Sequence, residues 1–543
     1  MRDSISGFAR IPRAARNALR LARAGRVLAR HDALFPLELR GEMPAALLLL
    51  LAAAKLRLPW ERHPANEATD GENTAPATRL ATALMALGPS YIKLGQFLAT
   101  RPDIIGAELA ADMSLLQDRL PPFPTAEARA IIEEELGKPV EDVFVSLSEP
   151  IAAASIAQVH KAHTPPCDLY PEGRDMAVKV LRPGIEASFA RDLDSFFWAA
   201  ELIEHMHTPA RRLRPVEVVQ TLADSVKLEM DFRLEAAAMS EMAENTARDQ
   251  GFRVPRVDWE RTARHVLTLE WVDGIAASDR EALAAAGHDM KKLGRQVIQS
   301  FLTHALRDGF FHADMHQGNL FVDPDGTLVA VDFGIMGRLD QTQRRHLADI
   351  LYGFIQRDYR SVAERHFEAG YVPRSKSIDA FAQALRSVGE PIFGRSAREV
   401  SMGRLLAQLF QVTEQFDMKT RPELILLQKT MVVVEGVARH FDPDHNIWES
   451  AEPILKAWMI ERMAPETRLE EAAAGAAQLG RLVSQLPSLL EQAERTARLL
   501  SESVDEEGVK LHPSSLNTRN GSMRPVLWFT AGALAALAAA AIF

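Results

Sequence analysis

The stretch "FHADMHQGNLFVDPDGTLVAVDFG", Phe311–Gly334, places an Asp, an Asn five residues later, a turn-bearing segment and then Asp-Phe-Gly in one run. Leu320-Phe321-Val322 and Leu328-Val329-Ala330-Val331 are short apolar runs of β-forming residues. Asp323-Pro324-Asp325-Gly326 lies between them. Its Pro presets φ and its Gly supplies φ > 0, so the segment predicts a β-hairpin. Hairpin pairing sets backbones roughly 5 Å apart and so brings together Asn319, before the first strand, and Asp332, after the second. Asp314 lies on the loop leading in. Two carboxylates and a carboxamide then converge on one small volume. Such hard oxygen donors, few in number, suit Mg²⁺ that also binds phosphate oxygens. Any one of these residues alone would be an ordinary polar loop residue; the ordered combination carries the signal.

Upstream, "VFVSL", "ASIAQVHKA" and "MAVKVL" give a β-like texture from about Val143, and "HVLTLEWVDG" adds a strand and a turn. Helical patterns follow, including "VVQTLADSVKLEMDFRLEAAAMSEMAEN". A β-rich block followed by a helical block predicts an α+β chain with two lobes. "TAEARAIIEEELG" (Thr125–Gly137) reads as a helix capped by Thr125 and stopped by Gly137. Lys179 in "AVKV" faces the opposite side of its strand from Val178 and Val180. If that side is covered, the ammonium needs a partner, because a lone buried charge is costly. Glu235 or Glu229 on the next long helix could supply it. Glu270-Trp271-Val272, before a Gly-containing turn, could form a hinge that holds adenine through the backbone of Glu270 and Val272.

The 543-residue chain is too long for one small core. It is 47% hydrophobic and 25% charged, with net charge −10, which argues against a nucleic-acid coat. A single cysteine, Cys167, excludes an intrachain disulfide and a zinc site needing two cysteines. No cleavable signal peptide is apparent. Arg10, Arg13, Arg16, Arg20, Arg23, Arg26 and Arg30 recur on one broad helical face. This basic helix reads either as a membrane-surface element or as a solvated or partner-bound one. "MPAALLLLLAAA" (Met43–Ala54) is too short to span a bilayer. Val526–Phe543 carries no charge and as a helix would be ~27 Å long, enough for a thin bilayer core. Arg519 and Arg524 precede it, and Trp528 and Phe529 sit near its entry. It reads as a single-pass tail anchor of a bacterial-type inner membrane, the catalytic part cytoplasmic; the alternative is an Ala-rich helix packed on the protein.

From about Thr78 to the tail the chain resembles the UbiB family of atypical protein-kinase-like proteins, linked to ubiquinone biosynthesis. "KLGQ" (Lys93–Gln96) matches the K-x-G-Q signature and "AAASIAQVH" (Ala152–His160) the Ala-rich nucleotide loop. Lys179 matches the nucleotide Lys; "EMDFRLE" matches the E-x-D motif at Glu229 and Asp231, with Glu235 as partner of Lys179. "HADMHQGN" and "DFG" match the catalytic and metal segments. The resemblance implies a bilobal protein-kinase-like fold with an N-terminal helical extension and a C-terminal transmembrane helix. The expected boundaries are a basic arm and apolar helix at 1–60, a linker at 61–78 and the extension at 79–142. The N-lobe follows at 143–275, the helical C-lobe at 276–508, a linker at 509–525 and the anchor at 526–543.

It also implies ATP and Mg²⁺, with Asp314 positioning or deprotonating the acceptor and Asn319 and Asp332 holding the metal. Ala152, Ala153 and Ala154 replace a Gly-rich loop; Ala disfavours φ > 0, so this loop should be stiffer, and Ser155 could add a hydroxyl. Lys93 and Gln96, at i and i+3, share one helix face. The resemblance places that face over the active site, against Glu229 and Asp231, where it would obstruct a protein substrate. His312 is expected to be a structural support. The implied function is a membrane-anchored ATPase or atypical kinase acting on or exposing polyprenyl-phenol intermediates. The expected partners are membrane lipids, quinone intermediates and other ubiquinone-biosynthesis enzymes, and no nucleic acid. The alternatives are a small-molecule or lipid kinase, and a nucleotide-gated scaffold. Neither a flavin fingerprint nor an iron triad is evident, which argues against a hydroxylase.

Overall fold

The computed structural model describes residues 13–31, 76–99, 120–206, 214–391 and 422–463, save residue 169, with isolated positions elsewhere. The run Met43–Ala54, most of the linker at 61–78, the chain from 464 to 503 and the tail at 526–543 lie outside the described residues. Among the described residues no helix is long and apolar enough to cross a membrane. The principal elements in chain order are helices α1 (Arg13–Arg30), α2 (Pro76–Leu87), α3 (Pro89–Ala99) and α4 (Thr125–Leu136). Strands β1 (Ser146–Ala153), β2 (Ala157–His163) and β3 (Asp175–Leu181) follow, then α5 (Ile185–Met206), α6 (Pro215–Glu229) and α7 (Phe232–Asn245). Next come β4 (Phe252–Arg253), β5 (Val266–Glu270), β6 (Ile275–Ala276), α8 (Met290–Thr303), β7 (Phe310–His312), β8 (Leu320–Val322), β9 (Leu328–Ala330) and β10 (Met336–Arg338). The helices α9 (Gln341–Ile355), α10 (Tyr359–Glu368), α11 (Ile378–Gly389), α12 (Pro422–Phe441) and α13 (Ile447–Met463) complete the series. The chain divides into two compact units at Ile454, and everything below concerns the first.

An antiparallel sheet in the order β1-β2-β3-β5 builds the first lobe. Its alternation is clean on β3. Val178 and Val180 are buried in a core with Ile132 of α4, Phe144 and Val266, while Lys179 points to the other face. Helix α4 therefore shares its core with the sheet. It starts at Thr125, as expected, but Pro124 is the flanking residue, with φ −57° and no side-chain cap. The Thr125 hydroxyl is engaged by Glu149 instead. Gly137 ends the helix with φ 66°, its N–H donating to Glu133 O at 2.9 Å.

A second sheet, β4-β9-β8-β6, carries the expected hairpin: Leu320 pairs with Ala330 and Val322 with Leu328. Val331 N–H donates to Asn319 O at 2.9 Å, so the two ends of the hairpin meet. The long helical pattern after α5 is not one helix. It breaks at Met230, and Asp231, with extended φ −116°, caps α7 through Arg233 N–H.

Helix α1 is held by its own chain. Asn17, Ala24 and Ala29 are buried. Arg13 Nε and Asn17 Nδ2 donate to the Asp194 carboxylate of α5 at 2.7 and 2.9 Å. Arg16 and Arg23 stay exposed. The arm is therefore docked along one side, where small and polar residues fit α5, and only part of its basic face remains open.

Candidate nucleotide and phosphoryl-transfer site

Lys179 is the centre of the cleft face of the first sheet. Its Nζ donates to Glu235 Oε1 and Oε2 at 2.9 and 3.0 Å and to Asp332 Oδ1 at 3.2 Å. Phe232 and Glu235, three residues apart on α7, present one face to it; the ammonium lies 5.3 Å from the Phe232 ring centre. Glu235 is 7% exposed. Of the two carboxylates left open as partners for Lys179, Glu235 is the one that pairs with it. Burial works against the lysine cation, but Asp332 and Glu235 hold its pKa above that of an ordinary lysine. Burial pushes the Glu235 carboxyl up against the pull of Lys179. For Asp332, burial also pushes upward, but Lys179 prevails, with help from Lys93, and brings it down to about 2.

The loop after β7 is organised by backbone bonds. His312 is fully buried, and burial lowers its pKa. Its Nδ1 accepts from Asp314 N–H at 3.0 Å, which leaves Nε2–H to donate to Val331 O at 3.3 Å. This neutral ring ties the Asp314 loop to the hairpin and takes no part as a base. Asn319 Nδ2 donates to Asp314 O at 3.1 Å. Since a carbonyl only accepts, the amide orientation is fixed and Oδ1 is turned away from that bond. Asp332 sits just past the second hairpin strand with φ 63°, a left-handed conformation that an Asp tolerates better than most residues. Asn319 Oδ1 and the second Asp332 oxygen are two hard donors on adjacent backbone. That set fits Mg²⁺ shared with phosphates better than an ion caged by protein alone.

The Ala-rich loop is a turn between β1 and β2. Ala152 and Ala153 lie in β1 opposite Val159 and Gln158, and Ala154 N–H donates to Ala157 O at 2.8 Å. None of the three has positive φ, as expected for Ala. The carbonyls of Ala154 and Ser155 accept from Arg182 at 3.2 and 3.3 Å. Ser155 is fully buried within this turn. At the hinge, Trp271 N–H donates to Asp175 O, whereas the amide of Val272 has no partner among the described residues. The Glu270 side chain is occupied by Arg253 Nη1 at 3.0 Å, and Arg253 Nε grips Asp323 of the hairpin turn at 2.6 Å.

The E-x-D and K-x-G-Q motifs meet through one pair. Lys93 Nζ lies 2.6 Å from Glu229, each side chain 12% exposed. Asp231 does not join them. It is forked by the Arg233 guanidinium at 2.9 and 2.6 Å, because its own role is to cap α7. Gly95 lets α3 close on Leu84 and Leu116: a Cβ there would sit 2.8 and 2.4 Å from their methyls. Gln96 follows it, half-buried.

Three contributors were not anticipated from sequence. Arg182 straps the Ala loop, and Arg253 ties the hinge to the hairpin. Lys429 on α12 places Nζ 3.6 Å from Asp314 Oδ1. A lone basic residue carries no motif, so only the fold reveals them.

Residues 115–366 match the ABC1 atypical kinase-like domain and residues 385–446 the UbiB helical domain. A protein of Marinobacter nauticus named "Probable protein kinase UbiB" is 38% identical over 492 residues, 89% of this chain and 85% of its own. One of the same name from Pseudomonas entomophila is 39% identical over 447 residues, 81% of each chain. A solved complex of Rv3197 with erythromycin from Mycobacterium tuberculosis is 24% identical, with TM-score 0.48, covering 70% of this chain and 95% of that one. The lysine–carboxylate centre, the Ala-rich turn and the two matching domains lead to one conclusion: the chain is a kinase-like α+β protein with helical extensions and belongs to the UbiB family.

Proposed function

We propose that the protein is a membrane-anchored, ATP-dependent enzyme of ubiquinone biosynthesis that hydrolyses ATP while acting on or exposing polyprenyl-phenol intermediates. The observation that carries this is Lys179 held between Glu235 and Asp332, with the Asp314 loop tied to the same hairpin. Lys179 is positioned for nucleotide phosphates, and Glu235 keeps it aimed. The open amide of Val272 is set to receive adenine. Asn319 and Asp332 would hold Mg²⁺, which when bound offsets phosphate charge. Asp314 orients the acceptor oxygen and accepts its proton. Helix α3, clamped by Lys93–Glu229, covers the cleft and leaves the site to water or a small lipid phenol. The tail at 526–543 and the exposed arginines of α1 would keep the site at the membrane that holds such lipids.

The test is the full chain in phospholipid vesicles with Mg²⁺, ATP and a polyprenyl phenol, followed for phosphate release and for phosphorylated lipid. Lipid-stimulated release without phospho-lipid is the expected result. A phosphorylated phenol would make it a lipid kinase, and nucleotide binding with no turnover would make it a gated scaffold.

A further inference from the structure

Asp314 is flanked on both oxygens. Lys429 Nζ lies 3.6 Å from Oδ1 and His316 Nε2 3.7 Å from Oδ2. His316 Nδ1 accepts from Gly318 N–H at 3.0 Å, so Nε2 bears the proton and faces Asp314. Both contacts exceed hydrogen-bonding distance. Among the described residues Lys429 makes no hydrogen bond. Its ammonium is thus near the catalytic carboxylate but uncommitted to it. Its position is nevertheless fixed. The next residue, Thr430, is fully buried, and its hydroxyl lies 2.8 Å from Leu426 O of its own helix and 3.0 Å from Ala313 O, the residue before Asp314, so its single proton is shared between the two carbonyls. Val434, Val437, Ala438 and Phe441 bury the rest of that helix. The Lys429 side chain is 31% exposed and the Asp314 side chain 29%, so neither is sealed in the core. The site therefore has one lysine on each carboxylate: Lys179 beside Asp332 and Lys429 beside Asp314.

We propose that Lys429, contributed by the helical region that follows the kinase-like domain, is a catalytic residue that binds the phosphoryl group in transfer. The proposal rests on the phosphoryl-transfer reading above. In that step the acceptor oxygen bonds to phosphorus, and the bond from phosphorus to the β-phosphate oxygen breaks with its electron pair. The acceptor proton passes to Asp314. Lys429 exchanges no proton; it offsets charge on the oxygens of the moving group, which a compact ammonium suits. The helical region is then part of the active site and not only a support for it.

The experiment compares full-length wild type, Lys429→Met, Lys429→Arg and Thr430→Val for ATP turnover, Tm, and affinity for ADP with and without aluminium fluoride, which mimics the phosphoryl in flight. Lys429→Met should lower kcat and the affinity for ADP with aluminium fluoride each by about 10²-fold. ADP affinity alone should hold, and Tm should stay within about 2 °C. Lys429→Arg should recover part of the loss. Thr430→Val should lower Tm instead. Unchanged affinity of Lys429→Met for ADP with aluminium fluoride would overturn the proposal, as would a loss that only follows Tm. If the wild type showed no turnover while that affinity still fell in Lys429→Met, the turnover reading would fail and the Lys429 site would stand.

Discussion

The Lys179 and Glu235 side chains are 15% and 6% exposed, so neither charge can be left alone cheaply. Removing Lys179 strands Glu235, and removing Glu235 leaves Lys179 with Asp332 alone; breaking a buried pair on one side costs more than the pair itself is worth. Lys179→Met and Glu235→Met should each destabilise the protein by about 2–4 kcal/mol in denaturant titrations, and the double variant by less than the sum. All of them should lose nucleotide binding, whereas a purely structural pair would let the double variant regain it. Asp332 is held down to about 2. A depressed carboxyl contributes stability that is complete above its ordinary range and lost as pH falls toward that value. The wild-type pH–rate profile should therefore show no acid limb from Asp332 above pH 4, where its carboxylate is already ionised. At this scale the sequence was informative wherever residues sat in one continuous stretch. Asp314, Asn319 and Asp332 share a hairpin, and its geometry could be reasoned from turn chemistry. Lys429 was not legible, because more than a hundred residues separate it from Asp314 and only packing of α12 brings it back.

Helix α3 is held by shape as much as by charge. A side chain at Gly95 would press on Leu84 and Leu116, whose methyl ends can move only into a packed cluster with Ala81 and Met113. Gly95→Val should destabilise the extension by about 1–3 kcal/mol and raise amide exchange over Pro89–Ala99. Glu229→Gln should leave the Lys93 ammonium half-paired and loosen the same helix. If nucleotide on-rates stayed at the wild-type value in that variant, α3 would not be a cover. The element pattern was legible for the sheet and the hairpin, where alternation and turn residues agree. It failed at Met230–Asp231, where an unbroken helical pattern hides a cap, since Asp can serve equally as a helix residue or as its start. It also misplaced the cap of α4, because Thr125 found Glu149 across the sheet edge.

For the whole molecule, Arg253 adds a second tie between the first lobe and the hairpin beside Lys179–Asp332: it reaches Glu270 on β5 and Asp323 in the turn. No local pattern could show this, since it links three separate segments. Packed histidines add a pH response. His366, packed against Tyr371 and Phe381, is lowered by burial from 6.5 to about 4, with His346 adding to the effect and its bond to Val362 O opposing it. The unfolded chain binds that proton below pH 6.5 while the folded one resists it, so stability is complete above 6.5 and falls as pH drops toward 4. Denaturant midpoints should decline from pH 7.5 to 5, and His366→Phe should flatten part of that decline. In the proposed function, one cleft built by both lobes transfers phosphoryl groups. Its most direct test is phosphate release from ATP by the full chain in vesicles with Mg²⁺, for the wild type, Asp314→Asn and Asp332→Asn. The wild type should turn over, and both variants should lose about 10²-fold or more, with nucleotide affinity retained in Asp314→Asn. Wild-type rates in either variant would contradict it.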